Sequence, residues 1–193
     1  ISWQYPLVEL ATGALFTLIF LKFPPISEIS VILTPLYLII TCILIVITVY
    51  DIKHKIIPDG FVYVFDALAL ATVFIGGPNF IHAPHIWTIL AGPILAAPFA
   101  LLWVISKGKW IGLGDAKLVL GIGWLLGLQG GINAVILSFW IGAAVSIVWM
   151  IVTYKRYKKG MKIPFGPFLV VGMFLAMLFG MNVIDLRIVT SLF

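Results

Sequence analysis

The sequence predicts an all-α, polytopic transmembrane bundle of about seven helices, with its N-terminus on the cytoplasmic side. Three observations predict it. Of 193 residues, 63% are hydrophobic and only 10% are charged, where an average soluble domain is about 45–50% apolar and about 25% charged; the mean hydropathy is +1.20. The apolar residues fall into runs near the roughly 20 residues that a helix needs to cross about 30 Å of hydrocarbon. The basic residues sit in short segments between those runs, on alternate connections.

The expected spans are 7–22, 31–50, 60–76, 86–105, 113–128, 131–153 and 165–184. The first, third and fifth are short. The second is a run of twenty apolar or hydroxyl residues closed by Asp51. The third opens at Pro58-Asp59-Gly60. The fourth follows an outer loop, 76–85, whose His82 and His85 read as solvated loop residues rather than a metal pair, because no third ligand lies near them. The fifth is rich in glycine (Gly114, Gly121, Gly123, Gly127), and Gly123 with Gly127 makes a small-residue pair suited to close helix packing. The remaining connections leave no room for a separate soluble domain, so residues 1–193 read as one membrane-embedded domain. No secretory signal is expected at the N-terminus, which lacks a charged head and a small-residue cleavage site.

The charges orient the bundle. Connections 51–59, 106–112 and 154–164, with Lys117 just inside the fifth helix, hold Lys53, Lys55, Lys107, Lys109, Lys117, Lys155, Arg156, Lys158, Lys159 and Lys162; the opposite side holds Lys22 and Arg187. The basic side is the cytoplasmic side. The net charge of +5 is therefore read as topology and attraction to anionic lipid, not as nucleic-acid binding. Cys42, the single cysteine, lies inside an apolar run. It excludes a disulfide within the chain and a cysteine-based zinc site.

Seven carboxylates exist: Glu9, Glu28, Asp51, Asp59, Asp66, Asp115 and Asp185. Glu28 and Asp185 read as solvated boundary residues on the outer side. Glu9 is a candidate cap for the first turn of helix one. Asp51, Asp59 and Asp115 all fall at cytoplasmic helix ends. An acid there carries a cost unless it is paired, solvated or protonated, about 2.5–3.5 kcal/mol at the bilayer centre and less at the edge. Two acids meeting from different helices at one depth share a proton, since neighbouring carboxylates do not both ionise easily. Such a pair suits peptide hydrolysis, one member drawing a proton from water and the other protonating the leaving amine. Each acid also has a plainer reading. Asp51 is an interfacial helix end, Asp59 an N-cap of helix three, and Asp115 a favourable charge at a helix N-terminus. Asp66, two turns into helix three, either pairs with a lysine or lines a wet cavity.

At these residues the sequence resembles the type IV prepilin peptidases, the prepilin leader peptidase family of bacterial pilus and type II secretion systems. Asp51-Ile52-Lys53-His54-Lys55-Ile56-Ile57-Pro58-Asp59 is similar to the family's first aspartate motif. Gly112-Leu113-Gly114-Asp115-Ala116-Lys117 fits the Gly-x-Gly-Asp signature shared with presenilin-type intramembrane proteases, and Pro164-Phe165-Gly166-Pro167-Phe168 is similar to the segment opening the family's last helix. The opening residues 1–10 also resemble the stretch after the family's cytoplasmic domain. The resemblance implies that Asp51 and Asp115 are the catalytic aspartates of a membrane aspartic endopeptidase. The substrate it implies is a prepilin or pseudopilin with a short basic leader, cut at the cytoplasmic face of the bacterial inner membrane.

As supporting residues it implies Gly112 and Gly114, which let backbone approach, and Asp59, with no proton-transfer role. Pro164, Gly166 and Pro167 would keep the start of the last helix irregular, leaving backbone groups for an extended peptide. No cofactor is expected for the peptidase activity. Zinc and S-adenosylmethionine go with a two-Cys-x-x-Cys domain of the longer bacterial members that this sequence lacks, and are expected only in a longer parent protein. Two other function classes compete. A proton-coupled transporter would place acids near the bilayer midplane and carry an internal repeat. A scaffold subunit would leave the Gly-x-Gly-Asp match to chance.

Overall fold

The computed structural model describes residues 4–76, 86–152, 164–181 and 183. These form six α-helices and, among the described residues, no strand: α1 (Gln4–Lys22), α2 (Glu28–His54), α3 (Asp59–Ile75), α4 (Ile86–Ser106), α5 (Leu113–Val152) and α6 (Gly166–Phe179). Four of them (α2, α4, α5 and Tyr5–Lys22 of α1) are long and apolar enough to cross a membrane. The 17 residues of α3 and 14 of α6 rise about 26 Å and about 21 Å at 1.5 Å per residue, short of a full hydrocarbon crossing.

The expected fifth and sixth spans are both present, as two helical legs that meet at Gly127 and carry one label here, α5. Gly127 interrupts it with φ 70° and ψ −179°, a backbone conformation that a residue without a Cβ adopts at little cost. The chain doubles back there. A Cβ on Gly131 would lie 3.5 Å from the Gly123 Cα, whereas eight residues of straight helix rise about 12 Å. The expected small-residue pair thus divides its work. Gly127 makes the bend, and Gly123 packs on α4, where its Cβ would come within 2.6 Å of the Gly92 Cα.

Both legs of α5 are held by neighbours. Pro93 in α4 supplies no N–H to the Ile89 carbonyl, and the Trp124 indole Nε1–H donates to that oxygen instead at 2.9 Å. On the second leg, Gly172 of α6 rests against Ser138, and the Val183 N–H donates to Asn133 Oδ1 at 2.7 Å. The fully buried centre includes Leu44 and Ile47 of α2, Phe65 of α3, Leu118 and Ile122 of α5, and Leu169 and Met173 of α6. Apolar side chains also face outward, among them Ile32, Ile39, Leu101, Val148 and Phe179. A helix apolar on all sides suits lipid, not water.

Two expectations for acids change. Glu9 is not in the first turn of α1, which begins at Gln4 and holds no acid in that turn. The expected Asp59 N-cap is not one either. Pro58 occupies the N-cap and makes no side-chain cap bond, while Asp59 is the first helical residue. A residue inside the turn cannot reach back over the free N–H groups as an N-cap does. The pair His82 and His85, most of the basic connection 154–164, Asp185 and Arg187 lie outside the described residues.

Candidate active site

The last turn of α2 sets Asp51. Lys55 ends the helix in the left-handed conformation (φ 57°, ψ 35°), and its N–H returns to the Asp51 carbonyl at 2.7 Å. A lysine there costs on the order of 1 kcal/mol over glycine, and it turns the chain sharply towards Ile56 and Ile57. The Asp51 side chain points into the bundle. Gly166 at the start of α6 lies against it: a Cβ on Gly166 would stand 2.5 Å from Asp51 Oδ2. The Gly166 N–H faces the carboxylate, yet Oδ2 is buried without completing a hydrogen bond of ordinary geometry.

The first turn of α5 sets Asp115. Gly112 precedes the helix and Asp115 is its third residue. The Gly112 N–H donates to Asp115 Oδ2 at 3.2 Å, and the Asp115 N–H donates to the Gly112 carbonyl at 3.2 Å. This is the reach-back half of a capping box. It fixes one carboxylate oxygen by a backbone bond. A Cβ on Gly112 would crowd that same oxygen at 3.3 Å, and one on Gly114 would stand 2.8 Å from the Ile57 Cβ. The two glycines therefore seat the α5 terminus against the α2–α3 connection, with no room for a larger residue at Gly114.

Asp51 and Asp115 line one cavity of about 570 Å³ and are electrostatic neighbours across it. Of the other residues singled out in the sequence, Asp59, Gly112, Gly114 and Pro164 line the same cavity, and Gly166 touches it through Asp51. Pro167 does not line it; it is buried in the first turn of α6. The expected irregular start of that helix is absent. The Phe165 carbonyl accepts the N–H of Phe168 at 3.0 Å and of Leu169 at 3.2 Å, so α6 begins in regular form.

Asp59 is exposed and pairs with Lys117, Oδ1 to Nζ at 2.8 Å. Asp66, undecided from sequence, does not line the cavity and, among the described residues, makes no salt bridge, but Lys117 is its electrostatic neighbour. It is buried against Gly121 of α5, whose N–H faces the carboxylate, with Oδ1 unpartnered.

Sequence reasoning missed the rest of the wall. Lys55, Ile56 and Ile57 come from the α2–α3 connection, and Gly108, Lys109, Trp110 and Ile111 from the α4–α5 connection. Trp110 is 73% exposed; an indole in a short polar connection is the one signal that pointed there. Chemically, the arrangement offers two mostly buried carboxylates lining one cavity, groups able to take up and return a proton. Among the described residues, no three of His, Cys, Asp and Glu are grouped to hold a metal ion. Cys42, on α2, is exposed away from any such group.

The model of the type IV leader peptidase family matches residues 38–147, a stretch that contains both Asp51 and Asp115. The chain is 27% identical to the prepilin leader peptidase/N-methyltransferase of Xanthomonas campestris pv. campestris, over 96% of this chain and 62% of that protein. It is 31% identical to the protein of the same description from Bacillus subtilis, over 100% of this chain and 73% of that one. For the one from Stutzerimonas stutzeri the identity is 28%, over 93% and 60%. The chain thus spans about three-fifths to three-quarters of the length of these relatives. No solved structure matches.

Proposed function

The chain belongs to the type IV leader peptidase family, and from that premise we propose that it is a membrane aspartic endopeptidase that removes the leader from type IV prepilins and type II secretion pseudopilins. The observation that carries this reading is the convergence of Asp51 from the end of α2 and Asp115 from the start of α5 on one cavity. The basic connections that reach the cavity, where Lys55 and Lys109 line it and Lys53 and Lys107 lie two residues away in sequence, favour a cytoplasmic placement in a bacterial inner membrane.

In this reading one carboxylate is ionised and the other holds the proton of the pair. The ionised member takes a proton from a water whose oxygen attacks the scissile carbonyl carbon. The protonated member first hydrogen-bonds the carbonyl oxygen. As the tetrahedral centre collapses, the C–N bond breaks and the departing nitrogen receives a proton. The products are a carboxylic acid and an amine, and the shared proton is restored. The Gly112 N–H holds Asp115 in one orientation through the cycle, and Gly166 keeps the space beside Asp51 free of a side chain.

The test is cleavage of a purified prepilin by the purified chain in detergent or lipid. Wild type is expected to cut, and Asp51→Asn and Asp115→Asn to be silent while retaining the wild-type melting profile. Full cleavage by either variant would remove the proposal. A proteoliposome flux assay run beside it is expected to show no proton transport.

A further inference from the structure

Among the described residues, one lysine beside the candidate dyad is held by both an ion pair and a hydroxyl. Lys117 lies two residues beyond Asp115 in α5. Its ammonium donates to Asp59 Oδ1 at 2.8 Å and to the Tyr63 hydroxyl at 2.9 Å, and it stands 4.7 Å from the centre of the Tyr63 ring. The two partners are 58 and 54 residues away in sequence, and they sit one turn apart on one face of α3. Lys117 is one-fifth exposed although its partner Asp59 is largely open to solvent. A lysine kept only for topology would extend into water or towards headgroups.

We propose that Lys117 is a positioning residue for the dyad: by holding the first turn of α3 it fixes where Asp115 stands relative to Asp51. This rests on the peptidase reading above. The connection from α2 to α3 is only residues 55–58, so a hold on the first turn of α3 is also a hold on the end of α2 that carries Asp51. The same connection presses Ile57 onto Gly114, next to Asp115. The α5 terminus is thus fastened at two points, by an apolar contact at Gly114 and by a charged strap at Lys117, with Asp115 between them in the chain.

An exposed ion pair adds little to global stability, so loss of the strap leaves the bundle folded and frees the local geometry. Small misplacements of reacting groups carry large kinetic penalties, on the order of a hundredfold for about 1 Å. The wall of the cavity stays in place, so substrate affinity changes little.

The experiment measures prepilin cleavage at saturating and limiting substrate for wild type, Lys117→Met, Asp59→Asn, and the swap Asp59→Lys with Lys117→Asp. In Lys117→Met, kcat is expected to fall about tenfold or more while KM stays within about twofold; the swap is expected to regain part of the loss. Wild-type kcat in Lys117→Met, or a loss confined to KM, overturns the proposal.

A second measurement does not need activity. With Cys42→Ser as background, spin labels at Lys53 and Leu113 report the separation of the two helix ends. The strap predicts a broader or longer distance distribution in Lys117→Met than in the parent, and identical distributions overturn it. If the parent chain cleaves nothing, the peptidase reading fails, and the distance measurement alone still decides whether Lys117 positions the α5 terminus.

Discussion

Two regions of this bundle bury carboxylates to nearly the same degree, and the proposed reading gives work to only one of them. At the α2–α5 corner Asp51 is 4% exposed and Asp115 9%; at the α3–α5 seam Asp66 is 7% exposed. The corner opens onto a cavity of about 570 Å³. The seam does not: Asp66 packs against Gly121 of α5, and Lys117, its electrostatic neighbour, is committed to Asp59 and Tyr63. Under the proposed function, burial alone therefore does not mark a working acid. What separates the regions is access, together with a second carboxylate within electrostatic reach.

The largest expected effect breaks the corner. Replacing either Asp51 or Asp115 by Asn lowers the cleavage rate by at least about 10²–10⁴-fold, the usual contribution of a positioned proton carrier, as read by time courses with purified prepilin. Next comes Gly166→Ala. Its methyl would stand 2.5 Å from Asp51 Oδ2, so the carboxylate must turn away, and a rate loss of about ten- to a hundredfold is expected with little change in melting temperature.

At the seam the consequences fall on stability instead. Gly121→Ala drives a methyl into Asp66 and Phe65, an overpacking that costs about 1–3 kcal/mol; thermal unfolding in detergent registers it, while the folded fraction keeps its specific activity. Asp66→Asn is the smallest change, retaining shape and removing ionisation. Activity within about twofold and stability within about 1 kcal/mol are expected. A large activity loss in Asp66→Asn would erase the contrast between the regions.

The sequence made much of this corner legible for identifiable reasons. Apolar runs and alternating basic connections reflect the solvent around each residue, and they placed the helices close to where they stand, α2 extending three or four residues past each expected end. Asp51 and Asp115, which the structure brings to one cavity, stand out in the sequence because each sits at a helix end beside a distinctive local motif. Contacts between distant segments were not legible. No periodicity encodes the Asp59–Lys117 pair, so Asp59 read as a cap. The break at Gly127 was legible as a gap between two spans, but the doubling back of the chain there was not, because hydropathy carries no direction. The contact of Gly166 with Asp51 appears only when α6 is packed on α2. Asp66 stayed undecided for the same reason, since its surroundings are supplied by α5.

The most direct test of the dyad is the double variant. Two groups that act as one unit lose their function once, so Asp51→Asn combined with Asp115→Asn is predicted to cleave prepilin no more slowly than either single variant, in single-turnover assays with excess enzyme. Losses that multiply, the double variant slower by the product of the two single effects, would show that Asp51 and Asp115 act independently and would contradict the account.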